Sequence, residues 1–144
     1  MLSKASLFSL FLLLVLPAPS VSAQDTDQSL FLFLTTADAE TQMMALILAT
    51  QSANQDVPVR ILLCSDAGDL ALAGSESPSF APANRSPKQL LLGLLERGVR
   101  VDVCGIYLPN REETDLDLLD GIGIASPPEV ASFMKNPGVR FFSF

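Results

Sequence analysis

Two apolar patterns alternate along this chain: short unbroken runs of strand length, and longer runs in which apolar residues recur every three or four positions. "SLFLFLT", over residues 29–35, is the first unbroken run, the signature of a strand covered on both faces. Residues 37–54 then place Met43, Met44, Ile47 and Leu48 at helical spacing with alanines between them. That spacing predicts an amphipathic helix with these residues as its apolar stripe. Asp38 or Thr36 is the expected cap, and Glu40 lies in the first turn, where the helix dipole favours an acid.

The alternation continues to the end of the chain. Residues 59–64 predict a second strand, and residues 86–98 a helix with Ser86 as N-cap and Pro87 at the first helical position. Gln89 stands at the capping-box position, and Gly98 supplies a left-handed stop. A third strand over 99–104 ends in Cys104. Residues 110–121 predict a short helix, with Asn110 and Glu113 at capping-box spacing, and "GIGIA" a brief strand. "SPPEVASFMKNPG" repeats the Ser, Pro and Glu start signals, and "VRFFSF" closes the chain as a fifth strand. Five short strands alternating with helices predict an α/β fold: one domain over 29–144, with a mostly parallel sheet between helices. One segment breaks the rhythm. Residues 66–85 are rich in Ser, Pro, Ala and Gly, and too long for an ordinary connection. A helical turn is expected over 69–73, and the remainder reads as a mobile loop, either a lid or slack.

The first 23 residues follow a different pattern. One Lys precedes an apolar run too short for a comfortable membrane span, and the small residues Val21 and Ala23 stand before Gln24. A secretory signal peptide cleaved after Ala23 is expected, with a retained anchor as the alternative. The mature protein is then periplasmic or secreted, with residues 24–28 as a disordered leader and no membrane association after cleavage. Removing 23 of 144 residues leaves 121, enough for one core, with 8 basic and 16 acidic side chains. That net charge of −8 repels nucleic acid and anionic lipid alike.

The chain has two cysteines and no histidine. Cys64 and Cys104 both close predicted strands, and ligands of open parallel sheets collect at the carboxyl ends of strands. The turn holding Thr36 and Asp38 opens at the same edge. A cysteine in such a place is also often only a small buried hydrophobe. The absence of histidine rules out a Cys–His hydrolase dyad, and with no C-x-x-C there is no local dithiol cycle. Two cysteines without histidine do not make a zinc site, and no Gly-rich phosphate loop or nucleophile elbow occurs. "DLDLLD" lacks the glycine turn and distal glutamate of a calcium loop and reads as a solvated helix face. No metal and no cofactor is expected. What remains is sulfur exchange through a thiolate, with Arg111 and the backbone amides after Cys104 as groups that would lower its pKa.

"GVRVDVCGIYLPN", "LLDGIGIASPPEVASFM" and "VRFFSF", in that order and spacing, resemble the DsrE/DsrF-like family of small α/β proteins linked to sulfur relay. The resemblance runs from about residue 29 to 144. It implies a three-layer α/β/α sandwich with a five-stranded parallel sheet, and assembly into trimers or hexamers. The family's sulfur-binding cysteine falls on Cys104, which implies a persulfide there; Cys64 has no counterpart.

The expected function is therefore that of an exported DsrE-like protein handling sulfur through Cys104, as a persulfide carrier or sulfurtransferase subunit. Thr36, Asp38, Cys64, Gly105 and Arg111 are the pocket candidates, and a sulfur-donor protein or small thiol is the expected partner. Two rivals stand beside it. One is a non-catalytic oligomeric binding or scaffold protein whose cysteine only packs. The other is a redox protein in which Cys64 and Cys104 form a disulfide, which requires Cα atoms roughly 4.4–6.8 Å apart.

Overall fold

The computed structural model describes residues 28–111 and 117–144. The unbroken apolar runs form strands β1 (Ser29–Leu34), β2 (Val59–Leu63), β3 (Arg100–Cys104), β4 (Ile122–Ala125) and β5 (Val139–Ser143). All four pairings are parallel, in the order β4-β3-β2-β1-β5. Three helices connect them: α1 (Ala39–Asn54), α2 (Pro87–Glu96) and α3 (Pro127–Met134). From β1 to β4 the chain steps across the sheet in one direction, and β5 returns to the far side of β1. Right-handed crossovers then put α1 and α2 on one face and α3 on the other.

Two cores result. Leu32, Leu34, Ile61, Leu63, Val101 and Val103 pack with Ala45, Leu46 and Ala49 of α1 and with Leu91 and Leu94 of α2. On the opposite face Phe31, Leu62, Ala125 and Val139 pack with Val130 and Phe133 of α3. Neighbours in one strand thus enter different cores, which is why the strands read as unbroken apolar runs. The α/β/α sandwich is the architecture present, with a sheet that is parallel throughout.

The start of α2 follows its sequence signals closely. Gln89 N–H donates to Ser86 Oγ at 3.2 Å, Ser86 N–H donates to Gln89 Oε1 at 2.9 Å, and Pro87 opens the helix. Gly98 ends the segment at φ +78°, a conformation that favours glycine. The buried face of α1 differs from the expected stripe. Gln42, Ala45, Leu46 and Ala49 are buried, whereas Met44, Ile47 and Leu48 are exposed. Alanines at 45 and 49 let the helix backbone approach the sheet, and the larger residues are left facing outward. Gln42 is tolerated inside because its Nε2 donates to the Thr36 carbonyl at 2.8 Å.

Residues 66–85 also differ from expectation. A 3₁₀ segment, Ser65–Ala71, begins directly after β2 and replaces the turn expected over 69–73. The stretch beyond it is tied down. Leu72 forms an antiparallel bridge with Leu118, flanked by Ala73 N–H to Asp117 O and Leu119 N–H to Ala71 O, each at 2.8 Å. Lys88 Nζ donates to the carbonyls of Leu72, Ala73 and Ser75 at 2.7, 2.8 and 2.6 Å. The bridge at Leu118 also explains why the helix expected over 110–121 is not present in its described part. Leu118 and Leu119 both pack against the α1/α2 core, and the chain there runs irregularly to reach it. Glu113 of the expected capping box, the signal peptide and most of the leader lie outside the described residues.

Candidate functional site

β2 and β3 are neighbours, and Leu63 pairs with Val103 in register. One residue further along each strand, Cys64 stands beside Cys104, with backbones about 4.8 Å apart as neighbouring strands are. Cys64 packs against the α3 core and Cys104 against the α1/α2 core, so the pair stands at the end of the sheet, where both thiols border one cavity. Both thiols are free and half-buried. Burial above all, then hydrogen bonding with Cys104 and the Cys104 charge, push the Cys64 thiol up to about 12. Cys64 therefore keeps its proton at neutral pH.

The segments that follow each cysteine build the walls. Ser65, at φ +51°, takes a conformation uncommon for a residue with a side chain, and turns the chain out of the sheet into the 3₁₀ segment. Its carbonyl accepts from Arg111 Nη2 at 2.9 Å. After Cys104, the chain passes so near the end of β4 that a Cβ on Gly105 would stand 2.9 Å from the Ala125 carbonyl oxygen. Tyr107 N–H then closes the turn onto the Cys104 carbonyl at 2.8 Å.

Tyr107, the chain's single tyrosine, is buried, with its ring laid over Gly68. Its hydroxyl donates to Asp69 Oδ1 at 2.5 Å, and the Arg111 guanidinium lies 4.1 Å from the ring centre and 3.7 Å from Asp69. Burial first, and the Asp69 carboxylate second, raise the Tyr107 hydroxyl well above its ordinary range, so it remains a neutral donor. Together these groups frame a cavity of ≈ 480 Å³ bounded by both cysteines, Ser65, Asp66, Tyr107 and Arg111. It brings together two thiols, the Asp66 carboxylate and the Arg111 guanidinium.

Further back along β3, on the α3 face of the sheet, Asp102 is buried between two arginines. Arg60 donates to it through Nε at 3.1 Å and Nη2 at 2.8 Å, and Arg100 Nε at 2.9 Å. Arg60 also lies 5.5 Å from the Phe31 ring and 5.1 Å from Phe133, while Arg100 Nη1 reaches Glu129 of α3 at 2.5 Å. This network fastens α3 to the sheet. Gly123 makes room for it, since a Cβ there would stand 2.6 Å from Asp102 Oδ1.

Of the residues singled out in the sequence, Cys104, Cys64 and Arg111 meet at one cavity, and Gly105 shapes the turn beside it. Thr36 and Asp38 do not line it. Thr36 Oγ1 accepts from Asp38 N–H at 3.0 Å, Asp38 Oδ1 accepts from Thr41 N–H at 2.8 Å, and both serve the start of α1. They follow β1, which lies across β2 from Cys104. The long segment is not a lid over the thiols: of residues 66–85, Asp66 alone lines the cavity. Ser65, Asp66, Ile106, Tyr107 and Asn110 line it too, and were not among the pocket candidates. Tyr107, three residues past Cys104 and unique in composition, carried the one available signal.

No family model and no curated protein matches the chain. Among solved structures, it is similar to the crystal structure of the ychN protein from E. coli. The two are 23% identical with a TM-score of 0.68, over 81% of this chain and 99% of that one. It is also similar to MTH1491, a protein of unknown function from Methanobacterium thermoautotrophicum, at 18% identity and a TM-score of 0.60, again over 81% and 99%. Likeness at this identity establishes the fold, and that fold is the five-stranded α/β type expected from the DsrE-like resemblance.

Proposed function

We propose that this protein, exported with loss of residues 1–23, accepts sulfur at Cys104 and passes it on, as a persulfide carrier or sulfurtransferase subunit. The observation that carries this is the meeting of Cys104 and Cys64, whose thiol is pushed up to about 12, at one cavity with a guanidinium in its wall. The Cys104 thiolate attacks the outer sulfur of a donor persulfide. A new S–S bond forms on Cys104, the donor's own S–S bond breaks, and its thiolate leaves. Arg111 is placed to meet the negative charge of the donor. A sulfur-donor protein or a small thiol persulfide is the partner.

The test is loading with a small-molecule persulfide followed by intact mass. Wild type and Cys64→Ser are expected to gain about 32 Da, the mass of one sulfur, and Cys104→Ser nothing. Absence of the adduct from wild type and Cys64→Ser overturns the proposal.

The same register favours a second reading, a Cys64–Cys104 redox disulfide. A Cα separation near the strand spacing of about 4.8 Å falls within the range a disulfide spans. A third feature bears on assembly. Met44, Ile47 and Leu48 leave an apolar face on α1, which supports a homo-oligomer, the trimer or hexamer of the resemblance, with this face covered.

A further inference from the structure

We infer that Cys64 is a resolving thiol: it attacks the inner sulfur of a persulfide on Cys104, closes a Cys64–Cys104 disulfide and releases the outer sulfur as hydrogen sulfide. This rests on the proposal that Cys104 accepts sulfur, and adds a fate for that sulfur. Two observations carry it. The register places the two cysteines side by side at the ends of the neighbouring strands β2 and β3. Both thiols border the same cavity, so a small leaving group on Cys104 departs into open space rather than into packed side chains.

The step balances without an added reactant. The bond between Cys104 Sγ and the outer sulfur breaks as the bond between Cys104 Sγ and Cys64 Sγ forms. The electron pair of the broken bond leaves on the outer sulfur, which takes up the proton that Cys64 loses, and the products are one disulfide and one H₂S. An external dithiol then restores both cysteines and itself becomes the disulfide.

Burial is the first cause that keeps Cys64 protonated, so the resolving attack is slowed by the same surroundings that place Cys64 beside Cys104. A chain with Cys104 alone would hold sulfur until an acceptor arrived. With Cys64 beside it, the chain discharges on its own, so relay to an acceptor must outrun release of sulfide.

A single-turnover experiment tests this. Reduced mature protein is loaded with an alkyl persulfide, separated from the donor, and followed by sulfide release and intact mass. In wild type the adduct, about 32 Da heavy, is expected to give way to a species about 2 Da lighter than the reduced protein, with one sulfide released per chain. Cys64→Ser is expected to keep its adduct roughly tenfold longer or more, and Cys64→Ala, a second variant that guards against misfolding, to do the same. Wild type that holds its adduct as long as both variants, without sulfide, overturns the resolving role alone. If the Cys64 variants take up no adduct, sulfur acceptance at Cys104 fails, and this inference with it.

Discussion

Cys64 stands beside Cys104 across the seam between β2 and β3, one residue beyond the point where Leu63 and Val103 pair, and both border one cavity. Two cysteines 40 positions apart in the chain thus become one thiol pair, and Cys104 is part of what holds the Cys64 thiol up at about 12.

This unit sets an alkaline limit on stability. Cys64 keeps its proton in the folded chain up to about 12, whereas the unfolded chain releases it near the ordinary value of 9.0. A raised folded pKa contributes stability that is intact below pH 9 and is lost as pH rises toward 12. Thermal melts from pH 8 upward are expected to fall more steeply for wild type than for Cys64→Ser. In Cys104→Ser, with the hydrogen bond and charge of Cys104 gone, thiolate absorbance is expected to report a Cys64 pKa below that of wild type.

Tyr107 offers a test of the cavity wall. A Cβ on Gly68 would stand 2.2 Å from the Tyr107 ring, so Gly68→Ala must displace the ring or the 3₁₀ segment. Overpacking of this kind costs about 1–3 kcal/mol. Because the same ring supports Arg111, sulfur loading of Cys104 is expected to slow together with the loss of stability. A Gly68→Ala protein with unchanged melting and unchanged loading would show that the wall is not rigid.

How much of this was legible from the chain depends on what each feature requires. The strands were legible because both faces of the sheet are covered, which makes runs such as "SLFLFLT" continuous, and α2 because Ser86, Pro87 and Gln89 are local start signals. The buried face of α1 was not, because apolar residues surround most of that helix. Close approach to the sheet then favours Ala45 and Ala49 over Met44 and Ile47. Cys104 was located as a strand end, but its partnership with Cys64 depends on β2 and β3 being neighbours, a property of strand order. Thr36 and Asp38 failed as pocket residues for the same reason, since a strand end is near the site only if its strand is.

Asp102 allows the structural and chemical roles of the α3 face to be separated. Its carboxylate is buried and accepts from both Arg60 and Arg100. Asp102→Ala takes from the buried Arg60 its hydrogen-bonded partner, leaving only Glu129 at 3.7 Å, and is expected to cost about 3–5 kcal/mol by denaturant unfolding. Replacing the pair together, Arg60→Met with Asp102→Leu, is expected to cost less than the single change, because no unpaired charge remains inside.

The exposed apolar face of α1 gives an assembly test. Ile47→Glu or Leu48→Glu places a charge on an already exposed position and is expected to leave the fold intact. Sedimentation velocity is expected to show a smaller species than wild type. An unchanged sedimentation coefficient would mean that other surfaces hold the assembly together.

The division of labour between the two thiols is tested most directly by alkylation with a limiting amount of iodoacetamide at neutral pH, followed by peptide mapping. Labelling is expected at Cys104 in preference to Cys64 by about tenfold or more, since burial beside Cys104 pushes the Cys64 thiol up to about 12 and withholds its thiolate. Equal labelling of the two, or faster labelling of Cys64, would contradict the account.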